Sequence, residues 1–164
     1  MTNPIIFLTL FNSSMHIMAK EHFYNLTTQW TGNKGAGTKD YRAYTRDYTI
    51  SSQAKVNILA SADLAFLGDS SKYNPEEFLL AAISSCHMLW FLHLCADSGV
   101  IVVDYVDNAN ATMIESSAGG GQFKEVILNP IISVSEASMI SKLDTIHELA
   151  HKKCFISNSV NFPV

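Results

Sequence analysis

Residues 74–99 read NPEEFLLAAISSCHMLWFLHLCADSG. An asparagine that can cap a helix is followed by Pro75 at the first helical position and Glu77 at the third, and the run closes on Gly99. These are start and stop signals for one long helix. Apolar side chains fall on every face of it, which predicts a helix buried on all sides rather than a surface helix with one apolar stripe. A membrane span is disfavoured, because Ser84, Ser85, His87 and His93 interrupt an apolar run that is also short for a span. A fold built on this segment has to surround it.

The flanks supply strands. From Tyr24 to Trp30 and from Asp40 to Ile50, segments rich in Thr, Tyr and Ile flank the glycines of TGNKGAGT and predict a hairpin, with a third strand near Ala54–Ala60. After the helix, 100–116 and 122–134 are strand-like around SSAGGGQ and predict a second hairpin. A second helix is expected over 135–153, with Met139, Leu143, Ile146 and Ala150 toward the core, followed by a closing strand over 155–164. The class is α+β.

At 164 residues, 48% of them hydrophobic, the chain suffices for one core and not for two ordinary domains. Residues 22–164 are expected to form a single domain and 1–21 a tail or an overextended start. The apolar stretch from Ile5 to Phe11 has no basic residue ahead of it, so no signal peptide is expected. The net charge of -4 includes no basic block, which removes the electrostatic footprint for nucleic acid or an anionic membrane. Three widely spaced cysteines, Cys86, Cys95 and Cys154, fit neither a disulfide scaffold nor a Cys-x-x-Cys metal site and point to a reducing, cytoplasmic setting.

Residues 147–154, HELAHKKC, raise a choice. The first five letters match His-Glu-x-x-His, in which two histidines bind zinc and the glutamate activates water. Downstream of His151 stand only KKCFISNSVNFPV, without a third His, Asp or Glu. A metal is therefore not expected, and His147 and His151 read as surface or capping residues near a helix C-terminus. The weight shifts to Cys154. Cys86 lies mid-helix, and Cys95, nine residues on, falls on the opposite face at about 100° per residue. Those two cannot pair within one helix, and whether Cys154 reaches either is a matter of tertiary packing.

The helix start YNPEEFLLAAISSCHM, with a cysteine ten residues after Glu76, and the later segment AHKKCFISNSV together resemble the OsmC/Ohr family of organic hydroperoxide reductases. The order of elements agrees over about residues 22–164. The resemblance implies an OsmC-like fold in which curved antiparallel sheets of an intertwined homodimer wrap two long central helices. It assigns Cys86 as the peroxidatic thiol, Cys154 as the resolving thiol and Glu76 as the carboxylate that holds an activating arginine. Ten residues at a rise of about 1.5 Å put Glu76 about 15 Å from Cys86 along the helix, so Glu76 is expected to serve the other subunit's site.

The chemistry implied is a thiol peroxidase. A Cys86 thiolate takes an oxygen from an organic hydroperoxide, the resulting sulfenic acid condenses with Cys154, and an exogenous dithiol, such as a lipoylated protein, reduces the disulfide. No cofactor is implied. The chain departs from the family pattern at the arginine. Where one branch carries it in the loop before the glutamate, this chain has Phe66 and Leu67; the other branch takes it from the first hairpin, where Lys34, Arg42 and Arg46 are available. Arg46 is the expected cation, with His87 as the base if no arginine reaches Cys86. Two other functions compete with the peroxidase: a Cys-His hydrolase, and a non-catalytic protein of the same fold that binds a hydrophobic ligand.

Overall fold

A computed structural model describes residues 20–164, so the tail expected over 1–21 lies almost wholly outside the described residues. The first sheet is antiparallel and three-stranded, with β1 (Thr27–Trp30), β2 (Tyr48–Ser51) and β3 (Ile58–Ala60) in sequence order. Residues 31–47 bend between β1 and β2, held by an Asn33–Tyr44 bridge and by the Trp30 indole donating to the Thr45 carbonyl at 2.9 Å. A short 3-10 turn at Leu64–Phe66 leads into the long helix.

That helix, α1 (Pro75–Asp97), starts where its caps predict. The Asn74 side chain accepts from the Glu77 N–H at 2.8 Å while the Glu77 carboxylate accepts from the Asn74 N–H at 3.0 Å. This reciprocal box satisfies donors that a helix start otherwise leaves open. At the far end Gly99 takes a φ of 67°, the left-handed conformation that lets the chain leave the helix.

The expectation for α1 is met on one face alone. Within this chain Ile83, His87, Phe91 and Cys95 are buried, a stripe repeating every fourth residue, whereas Leu89 is 62% exposed. The stripe packs on α2 (Leu143–Lys153), which a 3-10 turn at Ala137–Lys142 precedes. Phe91, Cys95, Val100, Ile146 and Ala150 form the buried cluster, with Met139 and Leu143 against it. The helices run antiparallel: Lys142 Nζ donates to the Ser98 carbonyl at one end, and Cys86 meets Cys154 at the other.

The two strands predicted over 100–116 and 122–134 are each broken in two. β4 (Val102–Asp107) pairs with β7 (Pro130–Val134), and β5 (Asn110–Glu115) pairs with β6 (Gly121–Ile127), so one long hairpin bends midway. Asn108 and Asn129 make the corner. The Asp107 carboxylate accepts from the Asn129 N–H at 2.7 Å, and the Asn129 amide donates to the Asn108 carbonyl at 3.1 Å, replacing ladder bonds. The closing strand expected over 155–164 does not form. A 3-10 turn at Ser157–Ser159 uses the local donors instead, and Pro163 has no N–H to offer a ladder, though its carbonyl accepts from Val126 at 3.0 Å.

Candidate active site

α1 carries Cys86 on the side next to its buried stripe, and α2 ends at Cys154, which leaves the helix with extended backbone. Antiparallel packing brings these two thiols together. Cys154 is wholly buried and Cys86 is partly exposed, so solvent reaches the second sulfur and not the first. Both are unbonded thiols. Cys95, the third, is buried in the α1–α2 core away from the pair.

The chain segment after Cys154 folds back over the thiols. Backbone N–H groups of Ile156 and Phe155 face Cys86, while the Ser157 N–H and hydroxyl donate to Cys154 Sγ at 3.4 and 3.2 Å. Burial, and next the neighbouring Cys154 thiol, push the Cys86 thiol up, and the Ile156 N–H followed by the Phe155 N–H pulls the other way. The net direction is upward. Among the described residues of one chain, no cation or histidine supplies Cys86 with a hydrogen-bonding partner or a lowering charge.

Glu76 sits in the first turn of α1, beside a pocket of about 340 Å³ lined also by Phe66, Leu80, Met113 and Phe123. Cys86 is not part of that lining. Among the described residues, one Glu76 oxygen, Oε2, is buried with no hydrogen-bond partner. Its charge is felt by Tyr48 on β2, whose hydroxyl is raised first by burial and then by Glu76. Arg46 lies in the bend between β1 and β2. Its guanidinium stacks on the rings of Tyr41 and Tyr44, 4.0 and 4.4 Å from their centroids, and donates to both their carbonyls. The Tyr41 hydroxyl in turn donates to the Phe66 carbonyl at 3.3 Å, so the bend that holds Arg46 rests on the loop beside Glu76. Within one chain the structure brings Cys86 and Cys154 together and keeps Glu76 and Arg46 apart from them.

His147 is not the surface residue the sequence suggests. It turns inward, with Nδ1 3.0 Å from His87 Nε2, and Phe91 stacks on its ring with centroids 4.1 Å apart. His87 therefore faces α2 and not Cys86, which removes it as the nearby base. Burial lowers both imidazoles below the ordinary 6.5, and for His87 the neighbouring His147 and His151 add to this. His151 stays exposed. Among the described residues no three His, Cys, Asp or Glu side chains gather so as to hold a metal ion.

A family model described as OsmC-like protein matches residues 68–164, the part of the chain that holds both helices and both thiols. The chain belongs to the OsmC-like protein family. An OsmC-like protein of unknown function from Vibrio cholerae is 33% identical, covering 88% of this chain and 97% of its own, with a TM-score of 0.79. Two solved structures share the OsmC-like fold at low identity. One is an organic hydroperoxide resistance protein from Elizabethkingia anophelis, 18% identical over 85% of this chain and 90% of its own, with a TM-score of 0.62. The other, from Legionella pneumophila, is named as an organic hydroperoxide resistance protein OsmC and is 14% identical over 86% and 92%, at a TM-score of 0.62. No curated protein matches the sequence. The α+β class and the OsmC-like fold expected from the sequence are those found.

Two contacts near the candidate site were not singled out in the sequence. The His87–His147 contact joins positions 60 apart, and no local spacing announces it. Ser157 could have been found, because a serine three residues after a helix-terminal side chain has the spacing of a local cap.

Proposed function

We propose that this chain is a thiol-dependent peroxidase that reduces organic hydroperoxides. The observation that carries the reading is the approach of Cys86 to Cys154, with Cys86 exposed to an incoming oxidant and Cys154 sheltered behind it. The Cys86 thiolate attacks the hydroxyl-bearing peroxide oxygen, the O–O bond breaks to leave Cys86 as sulfenic acid, and the departing alkoxide takes up the proton the thiol had released and leaves as the alcohol. Cys154 then closes the disulfide with loss of water, and an external dithiol, such as a lipoylated protein, takes the disulfide back to two thiols.

The working unit is a homodimer of domain 22–164 in a reducing cytoplasm. Glu76, with an oxygen buried and unpaired, is suited to hold an arginine contributed at the subunit interface, and Arg46 is the residue we assign to that place. Such a cation offsets the burial that raises Cys86.

The test is consumption of an organic hydroperoxide by reduced protein, with mass spectrometry of the product. Cys86→Ser falls to background, because an alcohol does not ionise near neutral pH. Cys154→Ser consumes about one equivalent per subunit and stalls as sulfenic acid. Cys95→Ser turns over as wild type. A Cys86→Ser protein that still consumed hydroperoxide, or a wild type that never formed the Cys86–Cys154 disulfide, would refute the reading and favour ligand binding.

A further inference from the structure

Cys154 is wholly buried, yet its sulfur receives two hydrogen bonds from a single residue, the N–H of Ser157 at 3.4 Å and its hydroxyl at 3.2 Å. A neutral thiol is a weak acceptor and has little use for two donors; an ionised sulfur is a strong one. The neighbouring cation in sequence does not serve it, since Lys153 Nζ is placed over the Trp90 ring, 5.4 Å from its centroid. We propose that Ser157 is a positioning residue for disulfide closure, its N–H and hydroxyl aimed at Cys154 Sγ where charge builds as that sulfur attacks Cys86. This deepens the peroxidase reading and rests on it.

The Cys154 thiol gives its proton to water, and its sulfur attacks the sulfur of the Cys86 sulfenic acid. The S–S bond forms as the S–O bond breaks, and the oxygen leaves as hydroxide, which takes up the released proton as water. Cys154 is oxidised and Cys86 reduced by the same amount. Charge builds on Cys154 before the attack and is consumed in it, so donors aimed at Cys154 act on this step and not on the first. The hydroxyl can be removed alone, because the Ser157 N–H belongs to the backbone. The sulfur of Cys154 also accepts from the first N–H of the turn at Ser157–Ser159, which gives the contact a structural use as well. A purely structural contact would affect stability but would not depend on pH.

Two measurements on the full chain separate these roles. In the first, reduced protein receives one equivalent of cumene hydroperoxide across a pH series. Ser157→Ala forms the Cys86 sulfenic acid at the wild-type rate but closes the disulfide about tenfold more slowly near neutral pH, the loss of one hydrogen bond to an ionised acceptor. The pH at which closure is half-maximal moves upward. Ser157→Thr restores both, and Ser157→Val, of the same shape without the hydroxyl, does not. In the second, Cys86→Ala with Cys95→Ala leaves Cys154 as the remaining thiol, and its thiolate absorbance is followed against pH with and without Ser157→Val. The absorbance develops at higher pH without the hydroxyl. This second readout needs no peroxide, so it judges Ser157 even if the wild type consumes none, an outcome that would sink the peroxidase reading and the closure role together. Unchanged profiles in folded Ser157→Val, or a loss that Thr does not restore, overturn the proposal.

Discussion

At the scale of single residues, the fold works against ionisation at two points. The Cys86 thiol is pushed up by burial and by Cys154, so the charge that the proposed peroxidase chemistry calls for would have to come from beyond the elements that enclose it. The paired imidazoles show the same effect with the opposite consequence for charge. Burial lowers His87 and His147, while Asp107 and Asp144 respectively pull them up and lose to it. With the folded value below the unfolded 6.5, the unfolded chain binds more protons as the pH falls through about 6.5, so stability drops toward acid and is fully present above that value. The urea midpoint is therefore expected to fall between pH 7 and pH 5, and His147→Gln, which removes one imidazole of the pair, should flatten that fall. Parallel pH dependences in the two proteins would refute the account. None of this was readable beforehand, because HELAH shows a histidine at helix spacing and not the neighbour that tertiary packing gives it.

At the scale of elements, what the sequence revealed depended on whether the signals were local. The start of α1 was legible to the residue, since Asn74, Pro75 and Glu77 each act on the backbone within three positions. Asn74→Ala loses the cap and a 3.4 Å contact to Asp63, and should cost about 1–2 kcal/mol in denaturant unfolding; a change below a few tenths would mean that the box is idle. The loop ahead of α1 is set by a longer contact. A Cβ on Gly68 would stand 1.6 Å from the Ala62 carbonyl oxygen, so Gly68→Ala must displace the turn that leads to Glu76, and lower thermal stability with it. A melting temperature equal to wild type would show that this turn yields freely. The bend of the β4–β7 and β5–β6 hairpin was missed because its asparagines bond each other across 21 positions, and the closing strand was over-read because residues 155–164 carry strand-forming types whose donors are taken by local turns.

The whole molecule turns on where the apolar surface goes. The sequence reading of α1 as apolar all round was right about composition, and the single chain buries one stripe of it. Elsewhere Leu59 is 64% exposed, Val103 63%, Ile131 63% and Phe155 66%, so with Leu89 on α1 the single chain leaves large apolar side chains open on several elements. The Glu76 oxygen Oε2 adds a buried polar group left without a partner among the described residues of one chain. In the proposed homodimer, a second copy packed across α1 would cover the first and supply the second, and that arrangement can be separated from a monomer by one substitution. Leu89 makes its mark only if another molecule lies on it. In a monomer, Leu89→Glu on an exposed helix surface changes stability by no more than about 0.5 kcal/mol. In a dimer with α1 at its centre it buries an unpaired carboxylate, a penalty large enough to split the assembly. Sedimentation of wild type is expected to give a dimer and of Leu89→Glu a monomer that unfolds at lower urea, with hydroperoxide consumption lost as Glu76 and its arginine separate. A wild type that sediments as a folded, active monomer, indifferent to Leu89→Glu, would remove the dimer and the shared site with it.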